Sequence, residues 1–275
     1  MKYFIDTEFI EGPQRDRFPV SLFRKNTPPT IDLISIGIVA EDGREYYGIS
    51  KDFNLKEAWN RFDIAEKTPF EKYHGFSGRK VYWLRQNVLL PIWRDLFFKA
   101  DADSGLSNKQ TEAFYRGIQS GEYDQYFTFE SLKYMIGRFG KTNKEIAEEV
   151  KEFCLKNYEE DKGVHSVVEH NHPYKNNTPK FYAYYADYDW VAFCWLFGKM
   201  MDLPKGFPMY CKDLKQMLDE KSMSYFESVN PGMQYFNERL ESMKNHPNYP
   251  KQENEHDALA DARWNKKLYE FLTEI

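Results

Sequence analysis

The sequence predicts an α/β fold, a central sheet sandwiched between helices, on three observations. Short isoleucine- and aromatic-rich runs near the N-terminus read as strands, helical periodicity sets in after Thr142, and a strand, a helix and a closing helix complete the second half. With 275 residues, 41% of them hydrophobic and 17% aromatic, the chain can bury the core that such a sandwich needs.

The first strand, Tyr3 to Phe9, opens on an apolar Tyr3-Phe4-Ile5 run and carries Asp6 and Glu8 two residues apart. Alternate side chains of a strand share a face, so both carboxylates point at one spot. They repel unless a cation lies between them or a proton is shared. Taken alone, the pair also describes an ordinary strand end with two solvated acids.

A loop rich in Pro, Arg and Asn runs from Pro13 to Thr30, and Ile31 to Ala40 then reads as a strand buried on both faces. Its small Ser35 and Gly37 alternate with Ile34, Ile36 and Ile38, and would leave room beside the carboxylates if the two strands pair. Asp42-Gly43 signals a two-residue hairpin into a third strand, Glu45 to Ile49.

Residues 50 to 140 hold aromatic clusters and glycines without a sustained period. A helix from Gly78 to Phe98, broken at Pro91, and a polar loop from Asp101 to Gln110 are the readings there. No Pro/Ser-rich linker follows, so this stretch reads as an elaboration of one domain spanning 1–275. Ile146, Val150, Phe153 and Cys154 then make the stripe of an amphipathic helix. The polar stretch through His165, His170 and His172 to Thr178 could bind metal through its histidines, but it has no neighbouring cysteine and reads as a solvated loop. Phe181 to Tyr185 reads as a strand and Trp190 to Met201 as a helix ended by Pro204 and Pro208. Asn254 or Asp257 can cap a last helix whose Trp264, Leu268, Phe271 and Leu272 form one apolar stripe.

Composition narrows the function. A net charge of −5 argues against coating long nucleic acid through a broad basic surface, but not against gripping a few phosphates through bound metal. Cys154, Cys194 and Cys211 lack metal-site spacing and read as buried, reduced thiols. No apolar run is long enough to span a membrane, and an acid at position 6 precedes any signal-peptide apolar region, so the cytoplasm is expected.

Two further acidic sites bear on the opening pair. Tyr184-Tyr185-Ala186-Asp187-Tyr188-Asp189 places acids at a strand-to-helix junction, where open α/β sheets bind ligands, and His256 and Asp261 stand at H-x-x-x-x-D spacing at the start of the last helix. Each is common by itself. Their joint order, D-x-E, then aromatic-Asp, then H-x(4)-D, resembles the DEDDh exonucleases of the ribonuclease H-like fold. The matching residues are Asp6 and Glu8, Tyr188-Asp189 with Phe193 four residues on, and His256 with Asp261. The tracts L-I-S-I-G-I-V, Y-G-I-S, W-L-R-Q-N-V-L-L-P and F-Y-A-Y-Y-A-D-Y-D-W-V-A-F-C-W-L-F-G are similar to those of compact bacterial 3′ to 5′ exoribonucleases. The departures are extra material at about 50–140 and the loop 159 to 178.

The resemblance implies a ribonuclease H-like mixed sheet flanked by helices, with an insertion between the third strand and the first long helix. It also implies hydrolysis from the 3′ end of single-stranded RNA, with single-stranded DNA or short oligonucleotides as alternative substrates and an idle nucleic-acid-binding module as the alternative class. Two Mg²⁺ or Mn²⁺ ions would be held by Asp6, Glu8, Asp189 and Asp261, Asp6 bridging them, and His256 would be the general base. Asp187 would be a cap or a support to Asp189. Phe9, Tyr185 and Trp190 are the candidate base-stacking residues, and a homodimer is the implied assembly.

Overall fold

The structure, a computed structural model, describes residues 1–14, 26–75, 77–102, 108–156, 178–229 and 242–274. The His165, His170 and His172 stretch, and most of the Pro13 to Thr30 loop, lie outside these residues.

The fold is mixed α/β, built on a five-stranded sheet in the order β3-β2-β1-β6-β7. Its strands are β1 (Lys2–Gly12), β2 (Thr30–Ala40), β3 (Glu45–Ile49), β6 (Lys180–Ala183) and β7 (Lys212–Asp213). The first three are antiparallel neighbours, whereas β6 runs parallel to β1, and β7 parallel to β6. The hairpin differs from the two-residue turn expected: Ala40 N–H bonds the Arg44 carbonyl at 2.8 Å, enclosing Glu41, Asp42 and Gly43. Gly43 takes a φ of 87°, the left-handed residue that a three-residue loop requires.

Between β3 and the helix capped by Thr142 lie α1 (Leu55–Asn60), a short ribbon of β4 (Asp63–Ile64) and β5 (Lys80–Val81), α2 (Pro69–Tyr73), α3 (Leu90–Ala102), α4 (Asn108–Gln119) and α5 (Phe129–Phe139). A π turn over Arg85–Leu89 leads directly into α3. Pro91 therefore does not break this helix. The Leu90 N–H reaches back to the Arg85 carbonyl, and this wider turn makes room for a ring that would crowd the carbonyl four residues before it. The polar stretch 101–110 is not all loop, since α3 extends to Ala102 and α4 begins at Asn108. Val88, Ile92, Trp93 and Leu96, with Leu132 and Ile136 of α5, share a core with Ile10, Ile34 and Ile49 of the sheet.

Beyond this lie α6 (Asn143–Leu155), α7 (Ala186–Leu196), α8 (Leu214–Val229) and α9 (Ala258–Glu274). Thr142 and Glu145 form a reciprocal capping box at α6. The alternation of β1 divides its partners: Tyr3 and Ile5 pack with Ile146 and Val150 of α6 and Phe193 of α7, whereas Phe4 packs with Leu214, Leu218, Leu268 and Phe271 of α8 and α9. Asp6 and Glu8, in phase with Phe4, therefore face the side on which α9 starts.

Three element boundaries correct the sequence reading. Strand β6 stops at Ala183, and α7 starts at Ala186 rather than Trp190, ending at Leu196 rather than Met201. The reversal is made at Tyr185, whose φ of 56° is left-handed. Among the described residues no helix is long and apolar enough to cross a membrane.

Candidate active site

Asp6 stands opposite Gly37 and Glu8 opposite Ser35 in the β1–β2 ladder, so the small face of β2 does lie beside the carboxylates. The space is filled by the first turn of α9. A Cβ on Gly37 would fall 2.1 Å from the Ala258 carbonyl oxygen and 2.5 Å from Leu259 Cα. Only glycine lets that turn close onto the strand. Deeper along α9, Asn265 Nδ2 donates to the Ile5 carbonyl at 2.8 Å, fixing the helix beside Asp6. The register shifts between Glu8 and Phe9, a bulge at the acidic pair that alters the aim of the strand end.

The other acids arrive on helix starts. Asp257 is the α9 cap: its Oδ1 accepts the Ala260 N–H at 2.8 Å, so this residue and not Asn254 ends the loop. Asp261 lies in the first turn, where its Oδ2 accepts the His256 backbone N–H at 2.8 Å and its Oδ1 the Gln252 side-chain amide at 2.6 Å. His256 takes a φ of 70°, a left-handed conformation unusual for a residue with a Cβ. Its imidazole and the carboxylates of Glu8 and Asp261 each offer a ligand atom within 4.8 Å of the others. Asp189, buried in the first turn of α7, accepts both the Thr7 N–H at 2.8 Å and the Thr7 hydroxyl at 2.6 Å, so β1 holds it from between Asp6 and Glu8. Asp213 steadies the same helix, accepting the Ala186 N–H at 3.2 Å while capping α8 through Lys215 N–H at 2.6 Å. Asp187 is exposed and is not the cap, since Tyr185 occupies that position.

Burial and mutual repulsion govern this cluster. Burial, reinforced by Asp189, Glu8, Asp261 and Asp257, drives the Asp6 carboxyl well above the usual range. Glu8 is pushed up to about 8 by burial and by Asp261 and Asp189. Asp189 rises to about 7 through burial, against the opposing pull of the two Thr7 hydrogen bonds. Asp261 is raised by burial, although Gln252 and His256 work the other way. Among the described residues, none of the four pairs with a lysine or arginine. Acids crowded together without a counter-charge, beside an imidazole, form a donor set suited to a divalent metal.

Glu8 opens into a cleft of about 720 Å³ lined by Phe9, Trp83, Tyr188 and Trp195, with Arg61 and Thr30 at its polar edge. The chain is similar to known exoribonucleases. A protein named a 3′–5′ exoribonuclease from Mycobacterium tuberculosis strain H37Rv, and another so named from strain CDC 1551 / Oshkosh, are each 45% identical to it over 71 residues. That match takes in 25% of this chain, and the chain spans 33% of the length of these curated relatives. No protein-family model matches the chain.

The three aromatic candidates for substrate contact part company. Phe9 lines the cleft and packs against Tyr188 at 5.5 Å between ring centroids. Tyr185 is 62% exposed and rests edge-on against Tyr184, apart from the residues lining the cleft. Trp190 is a correction: it is 8% exposed, stacked on Phe193 at 4.9 Å and packed with Phe181 in the core, so it cannot meet a base. Sequence reasoning missed Tyr188 (51% exposed), Trp195 (48% exposed) and Trp83 as cleft residues. The seven-residue spacing of Tyr188 and Trp195 was a signal for the first two, since it puts both on one face of α7. No local signal pairs Trp83 with the site.

Proposed function

We propose that the chain is a metal-dependent 3′ to 5′ exoribonuclease of the DEDDh type on a ribonuclease H-like fold. One domain would span 1–275, elaborated over 50–140 by the helices that share the Ile10, Ile34 and Ile49 core. The observation that carries this reading is the meeting of Asp6, Glu8, Asp189, Asp261 and His256 beside a single aromatic cleft. The exoribonuclease names of the partial relatives support the same activity.

Asp6, Glu8, Asp189 and Asp261 would hold two Mg²⁺ or Mn²⁺ ions, which would supply the positive charge needed to stabilise a phosphodiester under attack. Thr7 keeps the Asp189 carboxylate turned toward β1. Gln252 and the His256 backbone lock both oxygens of Asp261. The imidazole nitrogen that lies within 4.8 Å of the Glu8 and Asp261 oxygens accepts the proton of the attacking water. Phe9 and Tyr188 offer ring faces on the cleft wall to the terminal base, a contact that tolerates any sequence.

The test is digestion of 5′-labelled RNA and DNA oligomers of equal length with Mn²⁺, Mg²⁺ or EDTA. RNA shortened stepwise from its 3′ end only in the presence of metal is the expected result. Cleavage at internal positions, or turnover that persists in EDTA, refutes the reading, and a ladder confined to DNA moves it to the other polymer.

A further inference from the structure

The imidazole of His256 is not held by its own helix. The residue precedes the α9 cap, its backbone is left-handed, and its N–H is committed to Asp261. These contacts set the backbone and leave the side-chain torsions free. The ring meets Trp83, one of two helical residues that run directly into the Arg85–Leu89 π segment, more than 170 residues earlier in the chain. The ring centroids lie 4.6 Å apart with the planes at 72°, an edge-to-face contact. Trp83 also lines the cleft beside Glu8. It is 40% exposed and is not part of the buried core, so packing alone does not account for its place.

We propose that Trp83 is a positioning residue: its indole fixes the imidazole of His256 at the Glu8 end of the cleft, so that the elaboration over 50–140 completes the site. The inference rests on reading His256 as the base. Without the indole the imidazole can leave its place among the Glu8 and Asp261 oxygens by rotation about its side-chain bonds. Trp83 then affects the turnover step more than substrate capture. An indole that only stacked on a substrate base would show the opposite pattern, a loss in binding.

The experiment compares the full chain with Trp83→Ala, Trp83→Phe and His256→Gln on a 5′-labelled RNA oligomer with Mn²⁺, alongside imidazole proton spectra of the metal-free proteins. Trp83→Ala is expected to lose about 10-fold in kcat with KM changed by less than about twofold, and Trp83→Phe to recover most of the loss. The imidazole resonance that disappears in His256→Gln should shift in Trp83→Ala, because the ring current of the indole is gone. A rise in KM with kcat intact, or an unmoved imidazole resonance, overturns the proposal. If wild-type protein is inactive, the exonuclease reading fails instead, and the resonance still reports on the Trp83 contact; if His256→Gln retains full activity, His256 is not the base and the proposal is overturned.

Discussion

Asp6 lies where the fields of Glu8, Asp189, Asp261 and Asp257 overlap, so one substitution should push activity and stability in opposite directions. Asp6→Asn replaces a carboxyl that the metal-free fold keeps only by holding it protonated, at a cost in stability above the ordinary carboxyl pKa. In EDTA its Tm should exceed that of wild type, by about 2–4 °C for each kcal/mol of repulsion relieved, while RNA hydrolysis with Mn²⁺ falls to background. A Tm at or below wild type would show that the carboxylates do not strain the fold. His256→Ala is expected to cost about 10²-fold or more in kcat, the scale of a lost general base. Its stability should hardly move, because among the described residues the imidazole makes no hydrogen bond and the backbone N–H to Asp261 survives. Near-normal turnover of that variant in a single-turnover assay would remove His256 from the chemistry.

At the scale of elements, the site depends on α9 closing onto β2 where Gly37 lies. Gly37→Ala places a methyl group against backbone atoms of Ala258 and Leu259, which cannot rotate away as a side chain would. The start of the helix must move, and Asp257, Asp261 and His256 move with it. Urea unfolding should show a loss of about 1–3 kcal/mol, the usual cost of overpacking, together with a fall in kcat. Unchanged stability would mean that the close approach is not as drawn. Strand β1 presents the same logic from the other side. Between the two catalytic candidates that share one face, Thr7 points the opposite way and grips Asp189 of α7. The strand thus ties together carboxylates lying on both of its faces.

For the whole molecule, the raised carboxyls dictate an unusual pH response. Glu8 titrates at about 8 in the folded chain against an ordinary 4.5, and Asp189 at about 7 against 3.8. Below the ordinary values both folded and unfolded chains hold these protons, and no penalty arises. As pH rises from about 4 to about 8, the unfolded chain ionises first while the folded chain retains its protons, so stability falls with rising pH. The metal-free protein should accordingly lose Tm across that window. Mn²⁺ should offset the loss at its upper end by binding the ionised form, and Glu8→Gln should flatten the slope in EDTA. A Tm in EDTA that climbs across the same window, in wild type and Glu8→Gln alike, would contradict the crowding of the four acids.

Much of the sheet and site was legible from residue order, and the losses have physical causes. The isoleucine alternation of β2 marked both a strand and its small face, because side-chain period is a local property. The Pro91 break was misread because a π turn, which has no composition signal, relieves the proline. Trp190 was misplaced because exposure depends on where α7 starts. The left-handed Tyr185 sets that boundary, starting the helix at Ala186, four residues before Trp190, which packs in the core. By itself the sequence determined which acids and which histidine are the candidates, since residue type and spacing along strands and helices carry that chemistry. Only the tertiary structure decided that Thr7 would hold Asp189, that Gly37 would admit α9 and that Trp83 would meet His256. These contacts join residues far apart in the chain, and no local pattern encodes the packing that brings them together.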